Sequence, residues 1–187
     1  MSVRPTISEH YLAQQRSLHD NPQYGVASLT YAPMVKALME QLRLKSISDY
    51  GAGKCNLQKK LQELGLKDFE YFPYDPAFPE YGPPKAADLV CCIDVLEHVE
   101  ANYLDAVLRD LKDITKSFGF FTIQSGPASK NLADGSNAHL IQQPTSWWLP
   151  RLCQYFEIGQ MSRIPGGFWV VTSPSEKAQQ KNLGGDH

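Results

Sequence analysis

The chain has 187 residues, 42% hydrophobic and 20% charged, with a formal net charge of −2 at pH 7. That length suits one compact domain with a substantial core. A balance so near neutrality advertises no nucleic-acid or anionic-membrane partner, so nucleic acid stays possible but is not indicated by charge, and no apolar run reaches membrane-spanning length. Cys55, Cys91, Cys92 and Cys153 form no C-x-x-C pair. Cys91 and Cys92 lie in an apolar run, where thiols act as small hydrophobes. With an opening segment that lacks the apolar core of a signal peptide, this predicts a reduced, cytoplasmic protein without a zinc knuckle.

In chain order, residues 1–31 are mixed and aromatic, with turn chemistry in "NPQYG". They read as an N-terminal arm or lid on a single domain spanning 1–173. From Ala32 to Leu42, Val35, Leu38, Met39 and Leu42 recur at helical spacing. Residues 45–50 read as a short strand entering a glycine turn. Leu57, Leu61 and Leu64 mark one face of the next helix, and Gly65 is its stop. "FEYFPYDP" alternates aromatic residues up to Asp75 and reads as a second strand. "PAFPEYGPPKAA" holds four prolines in twelve residues and predicts no regular element.

"ADLVCCID" is a nearly continuous apolar run between carboxylates, the pattern of a strand buried on both faces of a parallel sheet. A helix follows with Leu104, Val107, Leu108 and Leu111 inward. "GFFTIQS" is the next strand and "GPASKNLADGSNAH" a long polar loop. "PTSWWLPRLCQYF" reads as a short helix beginning near Pro144 or Ser146, with Pro150 kinking or ending it. "FEIGQMS" and "GFWVVTS" flank "RIPGG" as a hairpin, and 174–187 reads as a disordered polar tail. The alternation predicts an α/β fold: a doubly wound, mostly parallel sheet with one antiparallel strand near the edge.

Function concentrates first in "SISDYGAGKCNLQ". In a doubly wound sheet, ligands bind outside the carboxyl ends of the strands. Gly51 and Gly53 let the backbone approach such a ligand. Asp75 stands 22 residues beyond Gly53 and closes the neighbouring strand, where a carboxylate accepts hydrogen bonds from both ribose hydroxyls. A dinucleotide fingerprint needs G-x-G-x-x-G/A, but Asn56 holds the last position and Asp49 repels a pyrophosphate. Asp49 suits a ligand with an ammonium group. S-adenosylmethionine has an ammonium, a sulfonium and a ribose, and no phosphate.

"DYGAGKC", "YFPYDP" and "ADLVCCIDVLEHVE" together resemble the class I S-adenosylmethionine-dependent methyltransferases, over roughly residues 32–172 in element order. The resemblance implies a Rossmann-like sheet in which Asp49, Gly51 and Gly53 line the methionine part of the cofactor. It also implies that Asp75 holds the ribose and that Cys92 to Asp94 pass beside the cofactor. Cys55, where the family motif has a third glycine, falls at the start of the helix, where a small side chain is accommodated. Members of the family usually fit a helix and another strand between the positions of Asp75 and Asp88, and that strand often contributes an acid to adenine. The short segment here predicts a sheet shortened after the second strand, with adenine covered by the loop against Phe78 or Tyr81.

"IDVLEHVE" enters a helix, with Asp94, Glu97 and His98 on nearby faces of one turn. Asp94-x-x-Glu97 reads as a capping box. With His139 from the loop after the next strand, D-x-x-E-H…H is similar to the E-x-x-E-H…H set of two metal-assisted families. These are the small-RNA 3′-terminal 2′-O-methyltransferases and the ubiquinone-pathway O-methyltransferases. Asp94 is shorter than their glutamate, and metal-free members also carry "LEHV", so no metal is assigned and Asp94, Glu97, His98 and His139 stand as an alternative divalent-ion set. His139 is the candidate general base, with His98 its candidate catalytic neighbour; a surface-loop histidine is the other reading of His139. Of Trp147 and Trp148, one is expected in the core and the other as a wall over the substrate.

The expected activity is methyl transfer from S-adenosylmethionine to a hydroxyl or amine of a small metabolite, sugar or nucleotide. A metal-assisted RNA 2′-O-methyltransferase and a non-catalytic S-adenosylmethionine-binding module are alternatives, and a nicotinamide oxidoreductase is more distant. Neither the acceptor nor the oligomeric state is legible.

Overall fold

A computed structural model describes residues 5–21 and 25–176. Apolar strands that bury both faces need helices on both sides, and the sheet is built accordingly. Its strands are β1 (Ser46–Tyr50), β2 (Glu70–Tyr74), β3 (Ala87–Ile93), β4 (Thr115–Gln124), β5 (Phe156–Ile164) and β6 (Gly167–Pro174). They lie in the order β2-β1-β3-β4-β6-β5. The first four in that order are parallel, and β6 runs antiparallel to both β4 and β5. The reversed strand near the edge is therefore as expected, and β2 ends the other edge.

The adjacent thiols show how the two layers divide. Cys92, with Val90, Phe121 and Val170, faces α4 (Leu104–Ile114) and α5 (Thr145–Leu152). Cys91, with Ile47, Leu89 and Phe120, faces α2 (Ala27–Gln41) and α3 (Asn56–Glu63). Both cysteines are fully buried. Each fully buried Leu or Phe of these layers contributes about 1.5–3 kcal/mol relative to exposure. α1 (Glu9–His19) lies ahead of this core and is capped by Ser8, whose hydroxyl accepts from Tyr11 N at 3.1 Å.

Several local expectations need correction. α2 begins at Ala27 rather than Ala32, so it reaches into the expected arm. The proline-rich segment contains one 3-10 turn, Pro79–Tyr81. Pro150 lies inside α5, which continues to Leu152; the carbonyl it deprives of a donor is in the first turn, so little is lost. Trp148 is fully buried, whereas the guanidinium of Arg151 stacks 3.5 Å from the Trp147 centroid. Trp147 is not among the residues that line the cavity over the strand ends. Pro174 closes β6 and Ser175 N bonds Tyr155 O at 2.9 Å; residues 177–187 of the expected tail lie outside the described residues. Among the described residues, no helix is long and apolar enough to cross a membrane.

Candidate active site

A cavity of about 510 Å³ opens over the carboxyl ends of β1 to β4. Its floor begins with the glycine turn. Gly51 N and Ala52 N both donate to Tyr74 O, at 2.7 and 3.0 Å, so the turn is tied to the end of β2. Gly51 has φ +84°, and a Cβ there would lie 2.4 Å from Val95 Cγ2. Its need for glycine is thus set by protein packing as well as by any ligand. Gly53 has φ +49°, and its Cβ would stand 3.1 Å from His19 Cε1. Cys55 also takes a left-handed conformation, φ +56°, although it is not glycine. Its thiol donates to the Tyr81 hydroxyl at 3.5 Å, and that hydroxyl donates to Gly53 O at 2.9 Å.

Asp75 is 9% exposed. Its Oδ2 accepts from Gly53 N at 3.0 Å and its Oδ1 from Ala77 N at 2.8 Å. Burial raises its pKa, while the two amides and His19 oppose the rise. Asp49, at the end of β1, is 4% exposed and accepts a hydrogen bond from the Tyr71 hydroxyl. Burial pushes its pKa up to about 7, against the pull of that bond. Asp49, Asp75 and Asp94 line the cavity, and Lys130 is the one lysine or arginine among the described lining residues.

At the end of β3 the expected capping box does not form. Asp94 has φ +51°, its amide donates to Thr122 Oγ1 at 2.9 Å, and Thr122 Oγ1 donates back to Asp94 Oδ1 at 2.5 Å. Only a 3-10 turn, Leu96–His98, follows, with no side-chain cap. Glu97 is fully buried, and its Oε1 accepts from Gln124 N at 2.8 Å. Its carbonyl accepts from Ile141 N at 3.0 Å. Burial and Asp94 together raise its pKa well above the usual carboxylate range. Glu97 therefore brackets the end of β4 to the loop that follows. Cys92 sits in the core beneath, outside the cavity, whereas Ile93 and Asp94 line it.

His98 and His139 do come together, with ring centroids 4.8 Å apart at 87°. His98 Nδ1 is 2.8 Å from Ala138 O and His139 Nδ1 is 2.7 Å from Gly126 O. A carbonyl only accepts, so each Nδ1 carries a proton, and the neutral tautomer of either ring has its lone pair on Nε2. Burial, then His139, pushes the His98 pKa down to about 4. The four residues of the divalent-ion set do not converge, because Glu97 turns to Gln124 N. Among the described residues, no three His, Cys, Asp or Glu form a metal cluster.

Two further outcomes concern residues that the motifs did not locate. Phe78 and Tyr81 stack on each other, 5.4 Å apart at 11°, and neither lines the cavity. The cavity is lined instead by His19, by Gly25 and Val26, and by Ala27 and Ser28 at the start of α2. No motif marks His19; only its place in an expected lid hinted at it.

No family model and no curated protein sequence matches the chain. Solved structures do. A Burkholderia thailandensis 1,6-didemethyltoxoflavin-N1-methyltransferase, with bound 1,6-didemethyltoxoflavin and S-adenosylhomocysteine, is similar at TM-score 0.62 and 17% identity, covering 92% of this chain and 93% of that one. An O-methyltransferase family protein from the same organism is similar at TM-score 0.59 and 15% identity, covering 93% and 65%. The N-methyltransferase NodS of Bradyrhizobium japonicum WM9, complexed with S-adenosylhomocysteine, is similar at TM-score 0.53 and 8% identity, covering 90% and 100%. With its parallel sheet, reversed penultimate strand and glycine turn under the cavity, this chain has the fold of the class I S-adenosylmethionine-dependent methyltransferases.

Proposed function

We propose that the protein is an S-adenosylmethionine-dependent methyltransferase that moves a methyl group to a hydroxyl or amine of a small metabolite, sugar or nucleotide. The observation that carries this reading is a single cavity bordered both by Gly53 with Asp75 and by His98 with His139. The residues fit the cofactor. Each Asp75 oxygen accepts one backbone amide, which leaves lone pairs for ribose hydroxyls. A Cβ at Gly53 would fill part of the crevice. Asp49 resists ionisation because it is buried, and a ligand ammonium beside it would relieve that cost. A pyrophosphate would face three carboxylates instead.

When bound, S-adenosylmethionine supplies an electrophilic methyl on a sulfonium, which leaves the chain to hold a nucleophile in line and remove its proton. His139 is suited to the proton. Its Nδ1–H is fixed on Gly126 O, so its Nε2 lone pair can accept from a hydroxyl or amine. His98 stays neutral near physiological pH and adds no positive charge that would weaken His139 as a base. Asp94, fixed by Thr122, lines the same space as Asp49 and would border the cofactor. The didemethyltoxoflavin enzyme acts on a small molecule, which supports the acceptor class assigned here. The four free cysteines suit the reducing cytoplasm.

Calorimetric titration with S-adenosylmethionine and S-adenosylhomocysteine is the direct test, followed by assay of S-adenosylhomocysteine formation over a panel of phenols, amines, sugars and nucleosides. Binding of both and turnover of at least one acceptor class are expected. Binding of NAD in place of both would overturn the reading; cofactor binding without any turnover would favour the non-catalytic module.

A further inference from the structure

We propose that His19, on the N-terminal helix, is a ribose-contacting residue that grips the cofactor together with Asp75. This rests on the methyltransferase reading above, and it assigns to α1 part of the nucleoside site. The helix is tied across the cavity from both sides. Ser8 N donates to Glu100 Oε2 at 2.8 Å and Gln14 Nε2 to Asp134 Oδ2 at 2.9 Å. Beyond the helix, Lys54 Nζ donates to Asn21 O at 2.7 Å and Asn56 Nδ2 to Gly25 O at 3.1 Å. These bonds bring the last residue of α1 to the edge of the glycine turn.

There His19 Nε2 lies 3.8 Å from Asp75 Oδ2, with side chains 12% and 10% exposed. That separation exceeds a hydrogen bond, yet both residues line the same cavity. The His19 ring stands edge-on to Phe78, 4.9 Å between centroids, and Phe78 is backed in turn by Tyr81. The aromatic pair thus supports His19 from behind, so a ligand that reaches Asp75 meets an imidazole and not a phenyl face. The chemistry selects the group between them. An ionised carboxylate only accepts, whereas an imidazole nitrogen donates or accepts according to its proton. A hydroxyl donates to the one while pairing with the other, and a vicinal diol does so at two atoms. A phosphate has no donor to offer Asp75.

The test compares S-adenosylhomocysteine with an analogue lacking both ribose hydroxyls, by calorimetry on the full chain and on His19→Ala and His19→Asn. His10→Ala, an exposed position on the same helix, is the control. We expect His19→Ala to weaken S-adenosylhomocysteine at least about tenfold and leave the weaker analogue unchanged, while His10→Ala binds like the parent. Equal binding by His19→Ala and the parent would overturn the proposal, as would an equal loss for both ligands. Should the variants not fold, the imidazole proton resonances of the parent decide. The His19 ring is expected to shift on titration with S-adenosylhomocysteine and the His10 ring to stay; an unmoved His19 overturns the assignment. A parent that binds no S-adenosylhomocysteine sinks the methyltransferase reading itself, whereas binding indifferent to His19 sinks only this inference.

Discussion

The turn after β1 and the loop after β4 border one cavity but are held in different ways. Around Gly51 and Gly53 the donors are main-chain amides: two on Tyr74 O, and Gly53 N on the Asp75 carboxylate. Around His139 they pass through side chains. Gly126 O fixes one imidazole, Ala138 O fixes the other across 40 residues, and the Glu97 carboxylate holds Gln124 N. A backbone cradle tolerates little variety of ligand, whereas a loop pinned by a few side chains can change while the sheet stays intact. A common cofactor with a variable acceptor calls for such a division. It also predicts that substitutions in the two regions fall on different observables.

The largest effect is expected at His139. Loss of a general base costs about 10²–10⁴-fold in rate, so His139→Ala should lower methyl transfer by that order once an acceptor is in hand. Its affinity for S-adenosylhomocysteine should match the parent, measured by calorimetry beside the rate assay. If the affinity falls in parallel, the regions are not separable and the loop belongs to the cofactor site.

Asp75→Ala is the converse experiment. Hydrogen bonds to a charged group are worth about 1.5–3 kcal/mol each, so S-adenosylhomocysteine should bind about 100-fold more weakly. Removal of the carboxylate also frees Gly53 N and Ala77 N, and circular dichroism should show the fold retained. Wild-type affinity in this variant would contradict the ribose assignment.

Asp49 separates the regions by pH. Its folded pKa, about 7, lies above the ordinary carboxylate value of about 4, so the folded state holds a proton that the unfolded chain releases. The associated stability is complete below pH 4 and is lost as pH rises through 7. Urea denaturation should therefore find the parent less stable at pH 8 than at pH 5, by about 2 kcal/mol from this group. Asp49→Asn, which can still accept from Tyr71, should abolish that slope. A slope unchanged in the variant would place the pH dependence elsewhere.

The two regions were also unequally legible in the sequence. Asp49, Gly51, Gly53 and Asp75 lie at strand ends, where spacing alone fixes position, and the hydrophobic runs located every strand of the sheet. The meeting of His98 and His139 followed from the convergence of strand ends. What failed depended on packing between distant residues. The capping box of Asp94 and Glu97 lost to Thr122 and Gln124, 28 and 27 residues away. Cys92 alternates away from the cavity into the α4 layer. His19 comes from an arm whose amphipathic signal is weak, and its site is made by polar ties that no period encodes.

The smallest effect is expected at Cys55, where the family motif has glycine. A non-glycine residue at φ +56° carries a conformational cost of about 1–2 kcal/mol. Glycine would remove it, but would lose about 0.5–1 kcal/mol through backbone entropy in the unfolded chain. It would also lose the thiol contact to Tyr81. The opposed changes should leave Cys55→Gly within about 0.5 kcal/mol of the parent. S-adenosylhomocysteine affinity should stay within about twofold, since Gly53 N, the atom that meets Asp75, is held independently. A larger gain in stability would show that the Tyr81 bond does not offset the left-handed backbone. A large loss of affinity would make Cys55 part of the cradle, and the division between main-chain and side-chain control would then fail in the region where it is drawn most sharply.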